Sequence, residues 1–259
     1  MTKVLFMGRK PVAADALDHL LKLPRVEVVG VLTDSHLAVS PTAQVALQAG
    51  IPLYEFSEAL TELKEGRLTF DLGISILYWR KLKDEFLSVP QRSIINFHPA
   101  PLPEYKGTAG YNLAILEGLT SWAVSAHYVD AGIDTGGIVK ALEFPIDRDA
   151  ETAQTLERRS QRMLYALFEE VVQAALESPR LLPSVPNIGG RYISRADMEA
   201  MKEIRPGDDV SRKIRAFWFP PYDGAYQLIG DQKYTLVNRL ILQQLGDPHT
   251  SNLFTEAKC

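Results

Sequence analysis

The first 33 residues run strand, helix, strand, and no other feature constrains the fold as tightly. Val4-Leu5-Phe6-Met7 is a short apolar run closed by Gly8, the pattern of a buried strand. Val12, Leu17, Leu20 and Leu21 then recur at helical spacing, and a β-branched run from Val26 to Leu32 follows. Two strands joined through one helix in so short a span form a parallel βαβ unit. The alternation continues. The pattern predicts helices near 41–48, 81–89 and 110–116, and strands at 72–77, 93–97, 124–129 and 138–144. A long amphipathic helix follows, capped by Thr152 and carrying Leu156, Met163, Leu164, Leu167, Phe168, Val171 and Val172 toward Leu176.

Composition then shifts. Ser178-Pro179, Pro183, Pro186 and Gly189-Gly190 crowd into 13 residues, which reads as a linker across the surface. Beyond it the pattern predicts a helix over 208–217, a turn at 220–224 and a strand pair about Gly230-Asp231. The expected architecture is α/β: an open, mostly parallel, Rossmann-like sheet with a small C-terminal helix and β-hairpin appendage. The expected division is a domain over 1–177, a linker over 178–190 and a small segment over 191–259.

Bulk properties exclude several classes. A 259-residue chain with 46% hydrophobic and 23% charged residues has enough apolar content for a sizeable core. Its net charge of −4 argues against nonspecific nucleic-acid binding. The single cysteine, Cys259, allows no disulfide within the chain and no zinc site of the paired-cysteine kind. No metal is expected. A reducing compartment fits. With no leader-like start and no apolar run near 18 residues, a cytoplasmic protein without membrane association is expected.

The loop after the first strand, Gly8-Arg9-Lys10-Pro11-Val12-Ala13-Ala14, has one glycine where a dinucleotide fingerprint needs three, and no P-loop sequence occurs. In open α/β sheets ligands sit beyond the carboxyl ends of the strands, and two later loops stand out there. In Ile95-Asn96-Phe97-His98-Pro99-Ala100-Pro101-Leu102-Pro103, period-two alternation puts Asn96 and His98 on one side before three prolines stiffen the chain. In Val129-Asp130-Ala131-Gly132-Ile133-Asp134-Thr135-Gly136-Gly137, three glycines allow close backbone approach. An amide, an imidazole and a carboxylate supply what acyl transfer to an amine requires. Asn96 or His98 stabilises the oxyanion, and Asp134 orients His98, raises its pKa or relays a proton. His127 reads as a partly buried strand residue without a role, and His19, His36 and His249 as surface residues.

Asn96-Phe97-His98-Pro99, the Pro-Leu-Pro-Glu-Tyr-Lys-Gly that ends at Gly107, and Asp130 to Gly136 resemble the signature of the folate-dependent formyltransferases, over roughly residues 3–175. The resemblance implies that Asn96, His98 and Asp134 are the catalytic trio and that 10-formyltetrahydrofolate is the formyl donor. It places Ile76, Leu77, Tyr78, Arg80, Val129, Asp130 and Ile133 along the pterin, largely through backbone groups. The segment from Arg205 to Tyr226 and the run from Lys106 to Ile115 resemble the sugar N-formyltransferase branch. That branch implies a nucleotide-linked 4-amino-4,6-dideoxysugar as acceptor, GDP-perosamine first and a dTDP-linked sugar as rival. Folate hydrolysis and formylation of methionyl-tRNA are the further alternatives. From Arg191 onward ten Lys/Arg stand against nine Asp/Glu, a poor electrostatic handle for tRNA. Arg9, Lys10, Tyr105, Lys106 and Tyr111 are candidate acceptor contacts, Tyr by stacking and Lys or Arg by pairing a diphosphate. Phe217-Trp218-Phe219 reads as core or subunit contact, and the family implies a homodimer through the C-terminal segment.

Overall fold

The computed structural model describes residues 1–33 and 40–245. In chain order its elements begin β1 (Thr2–Gly8), α1 (Lys10–Leu21), β2 (Val26–Leu32), α2 (Pro41–Gln48), α3 (Phe56–Lys64), β3 (Leu72–Ile76), α4 (Asp84–Ser88) and β4 (Ile94–His98). They continue β5 (Tyr105–Gly107), α5 (Gly110–Leu116), β6 (Ser121–Tyr128), β7 (Ile138–Pro145) and α6 (Ala153–Glu177). Last come β8 (Arg191–Ile193), α7 (Arg195–Ala200), α8 (Val210–Phe217), β9 (Tyr226–Ile229), β10 (Gln232–Thr235) and α9 (Arg239–Leu245).

Six strands form the central sheet in the order β2-β1-β3-β4-β6-β7. The pairs among β2, β1, β3 and β4 are parallel, whereas β4–β6 and β6–β7 are antiparallel. The expected mostly parallel α/β sheet is therefore present. Its inner strands are apolar because both faces are covered. One face carries Phe6, Ile74, Ile76, Ile95, Phe97, Val124 and Ala126 against α1, α5 and α6. The other carries Leu5, Met7 and Ile94 against Ala59, Leu63 and Phe86 of α3 and α4.

The long helix α6 starts where the sequence marks it. Thr152 accepts from the Thr155 amide, and the Thr155 side chain accepts from the Thr152 amide in return. Helix α3 carries no expectation from the sequence; the structure caps it with Glu55 and Glu58. The linker over 178–190 is a strap with partners of its own. Val185 bridges Ile138 of β7, and the strap then leads into β8, which pairs in parallel with β5. Downstream, α8 is capped by Asp209 and packs on α5, and buried Arg215 donates to the carbonyls of Arg148 and Glu151. No helix among the described residues is long and apolar enough to cross a membrane.

Candidate active site

Sheet register builds the site. Ser75 of β3, Asn96 of β4 and His127 of β6 are direct partners across three adjacent strands. Their sequence neighbours Ile74, Ile76, Ile95, Phe97 and Ala126 all enter the core on the opposite face. Period-two alternation therefore turns all three polar side chains to one side. There they bond in a row. The Ser75 hydroxyl donates to Asn96 Oδ1 at 2.8 Å, and Asn96 Nδ2 lies 3.0 Å from His127 Nε2.

Two backbone carbonyls settle the imidazole tautomers, because a carbonyl only accepts. His127 Nδ1 donates to Tyr128 O at 2.8 Å, so its Nε2 lone pair accepts from Asn96. His98 Nε2 donates to Tyr105 O at 2.9 Å, leaving the Nδ1 lone pair 3.6 Å from Asp134 Oδ1. His127 Nε2 is also 3.6 Å from that oxygen. Both gaps exceed hydrogen-bond length, so the carboxylate faces two imidazole lone pairs with room for a proton between.

Asp134 sits in a left-handed backbone conformation, φ +54°, which a non-glycine residue rarely adopts. The Gly107 amide donates to its Oδ2 at 3.0 Å, and Asn187 Nδ2 donates to its carbonyl at 3.0 Å. Burial pushes the Asp134 carboxyl up, but His98, His127 and the Gly107 amide outweigh it and hold the group at about 2. Burial drives the His98 pKa below its usual value, with Asp134 pulling it up and His127 adding to the drop. With its N–H committed to Tyr105, a neutral His98 has no donor left for an oxyanion. One N–H of Asn96 remains.

A cavity of about 160 Å³ opens over this row. Ser75, Asn96, His127 and Asp134 line its polar part, with Tyr78, Trp79, Arg80, Lys81, Leu82, Val129, Gly132 and Ile133 around the rest. The two strand-end segments expected to flank a flat ligand thus converge on the same space as Asn96 and Asp134. His98 lies just behind Asp134, buried. Ile76 and Leu77 do not line the cavity; Ile76 is core and Leu77 takes a left-handed φ of +54°. The Asp130 carboxylate instead closes its own turn, accepting from the Gly132 amide and the Thr135 hydroxyl. A larger concavity of about 660 Å³ lies among the ends of α5, α7 and α8. Its ions are paired with one another, Lys213 with Asp208, Arg212 with Asp209 and Arg205 with Glu203, and it holds none of the trio.

The five acceptor candidates do not line that cavity. Lys10 pairs with buried Glu157 at 2.6 Å, and Lys106 donates to Gly189 O at 2.8 Å. Tyr105 donates to Glu117 and packs on Trp122; burial and that carboxylate raise its phenol to about 12. Tyr111 packs against the core beside Trp122, and burial pushes its phenol up strongly. Arg9 follows β1, its amide donating to Ile76 O.

Two histidine expectations need correction. His127 is 3% exposed and is bonded into the site through Asn96. Only its pairing with Asn96 reveals this, and register is not written in a single strand's sequence. His19 is no bare surface residue: Nδ1 lies 3.4 Å from Glu169, and the ring packs edge-on against Phe168. His36 and His249 lie outside the described residues. Ser75 carried no expectation and holds the other end of the Asn96 amide.

The sequence profile described as formyl transferase matches residues 2–172. The methionyl-tRNA formyltransferase of Symbiobacterium thermophilum is 30% identical over 242 residues, covering 87% of this chain and 72% of that protein. Among solved structures, an N-formyltransferase from Helicobacter canadensis, in complex with folinic acid and dTDP-3-aminofucose, superposes with a TM-score of 0.72 at 24% identity. That match covers 90% of this chain and 86% of the other. A 4-N formyltransferase from Francisella tularensis gives 0.77 at 20% identity, covering 92% and 97%. At these identities the two superpositions speak to the fold.

Proposed function

The chain belongs to the formyl transferase family, and we propose that it moves a formyl group from 10-formyltetrahydrofolate to the 4-amino group of a nucleotide-linked 4-amino-4,6-dideoxysugar, GDP-perosamine first. The carrying observation is the convergence of Asn96, His127 and Asp134 on one cavity, with His98 directly behind the carboxylate.

The cavity suits the pterin end of a reduced folate. At about 160 Å³ it is smaller than a typical site of roughly 300–1,000 Å³ for a whole drug-sized ligand, so it takes one bicyclic ring and leaves the tail outside. Tyr78, Val129 and Ile133 offer apolar contact for a flat ring, and Asn96 and Asp134 offer the polar partners. The Helicobacter canadensis relative, solved with folinic acid, adds support. The reduced folate supplies the formyl group: the acceptor nitrogen bonds to the formyl carbon, the bond from that carbon to folate N10 breaks, and a proton passes from the acceptor to N10.

Asn96 donates its remaining N–H to the formyl oxygen as that atom gains charge, with Ser75 and His127 holding the amide in place. The gap between Asp134 and His98 handles the proton. A carboxylate held near 2 is a weak base, so the proton rests on His98 Nδ1, paired with Asp134, until N10 takes it.

The acceptor reading draws on the sugar N-formyltransferase resemblance of the segment from Arg205 to Tyr226 and on the sugar-linked complex of the Helicobacter canadensis relative. A second acceptor, methionyl-tRNA, has the 30% identical Symbiobacterium thermophilum protein in its favour. One experiment separates them: 10-formyltetrahydrofolate is incubated with GDP-perosamine, a dTDP-4-amino sugar, charged methionyl-tRNA or no acceptor, and products are weighed by mass spectrometry. A formyl gain on GDP-perosamine is expected. Gain on the dTDP sugar or the tRNA alone would replace the acceptor, and formate without any acceptor would mean hydrolysis. The chain is also proposed to act as a cytoplasmic homodimer joined through its C-terminal segment.

A further inference from the structure

We infer that Asn187 is a positioning residue for Asp134: its amide clamps the backbone of the 134–136 loop and so sets the distance from the Asp134 carboxylate to His98. The inference rests on reading Asp134 and His98 as the proton-handling pair. Asn187 stands in the strap, far in sequence from both loops that carry the pair.

Both hydrogens of its Nδ2 are engaged, one on Asp134 O at 3.0 Å and one on Gly136 O at 2.9 Å. No other amide orientation works, because Oδ1 turned toward two carbonyls would repel them. The clamped residue needs help. Asp134 is held at φ +54°, and its carboxylate must meet the Gly107 amide on one side and His98 on the other.

The strap is anchored on both sides of Asn187. Val185 exchanges both backbone hydrogen bonds with Ile138, just after the clamped loop. Arg191 donates to Glu104 O, and β8 then pairs with β5, whose Tyr105 carbonyl holds His98 and whose Gly107 amide holds Asp134. One strap thus fixes both loops that orient the pair. Asn187 itself is 8% exposed, and its Oδ1 is buried without a protein partner among the described residues. An unmatched buried acceptor is unfavourable, so packing alone gives no reason for asparagine here. The two donated bonds do.

The test uses Asn187→Leu, close to asparagine in shape but unable to donate, with Asn187→Ala as the second variant if the first fails to fold. Imidazole-labelled protein is titrated by NMR. Asp134, His127 and the Tyr105 carbonyl face His98, and of these Asp134 is the group placed by Asn187. Loosening the carboxylate removes the attraction that holds the His98 pKa up, so its midpoint falls relative to the wild-type protein. A midpoint that stays put overturns the inference, whatever the acceptor. In formyl transfer, kcat is expected to drop roughly 10²-fold with KM nearly unchanged, and the loss is expected to vanish in an Asp134→Asn background. An equal loss in both backgrounds means Asn187 serves the fold alone, which also overturns it. A moved midpoint in a protein whose wild type transfers no formyl group supports the clamp and sinks the functional reading instead.

Discussion

The Asn96 amide is held at both ends, Oδ1 by Ser75 and Nδ2 by His127, so its free N–H is aimed before any ligand arrives. Asn96→Ala should lower kcat by about 10²–10³, the usual cost of one oxyanion donor. His127→Ala should cost less, because Asn96 survives but can turn; steady-state kinetics with a folded-state check on each variant decides both. Charge state follows from the same contacts. In the proposed mechanism turnover needs neutral His98, whose pKa lies below the ordinary value of roughly 6.5. The acid limb of kcat/KM should therefore fall below pH 6.5, and a limb centred there or above would contradict the assignment. Stability follows with its sign. Between the lowered folded value and about 6.5 the unfolded chain binds a proton that folded His98 refuses, so acidification through that window costs stability. Asp134 acts with the same sign in a lower window: its contribution is complete above about 3.9 and fades as pH falls toward 2. Urea melts of the wild-type chain and a His98→Gln variant across pH 5–7 should differ in slope. Asn96, His98 and Asp134 were legible because loop chemistry surrounds them in the sequence. His127 was not, since only its pairing with Asn96 gives it a partner.

At the scale of elements, local signals and long-range pairing part company. Helix α6 announces itself by its apolar stripe and by Thr152, whose hydroxyl meets the Thr155 amide at 3.2 Å. Thr152→Ala should cost about 1 kcal/mol by denaturant melt and leave kcat alone, since nothing in this cap reaches the cavity. The strap was legible only as prolines and glycines. Its task depends on β5 and on the loop before β7, each reached through contacts distant in sequence. Gly190 shows how tight that docking is: at φ +71°, a Cβ there would lie 1.6 Å from the Pro103 carbonyl oxygen. Gly190→Ala should cost more than about 1 kcal/mol. It should also depress kcat, because the displaced loop is the one that presents Tyr105 O to His98 and the Gly107 amide to Asp134. A variant that melts early yet turns over normally would show that strap and site are uncoupled. The intramolecular partners of the five acceptor candidates were hidden for a related reason: sequence shows that a Lys or Tyr follows a strand, not that Glu157 or Trp122 waits beside it.

Across the whole molecule, apolar surface is unevenly placed. Phe217 is buried as its sequence context suggests, but Leu228 and Ile229 of β9, Tyr234 of β10, and Val237, Leu240 and Leu242 beyond are each more than 40% exposed. Strand alternation sends Leu228 and Ile229 to opposite faces of the hairpin, so folding it against one surface of its own chain would leave one of them in water. A two-stranded hairpin is also marginal in water by itself, and clustered exposed apolar residues commonly mark an interface. These properties support the proposed C-terminal homodimer. Light scattering on the purified chain should give twice the monomer mass at micromolar concentration. A Leu228→Asp, Ile229→Asp double variant should run as a monomer with lower thermal stability. Both catalytic loops and the cavity lie within one chain, so its kcat should stay within a few-fold of the wild-type value. A wild-type monomer would end the dimer proposal. A monomeric variant that has lost turnover would instead mean that the second copy props up α8 and the strap, tying assembly to the site.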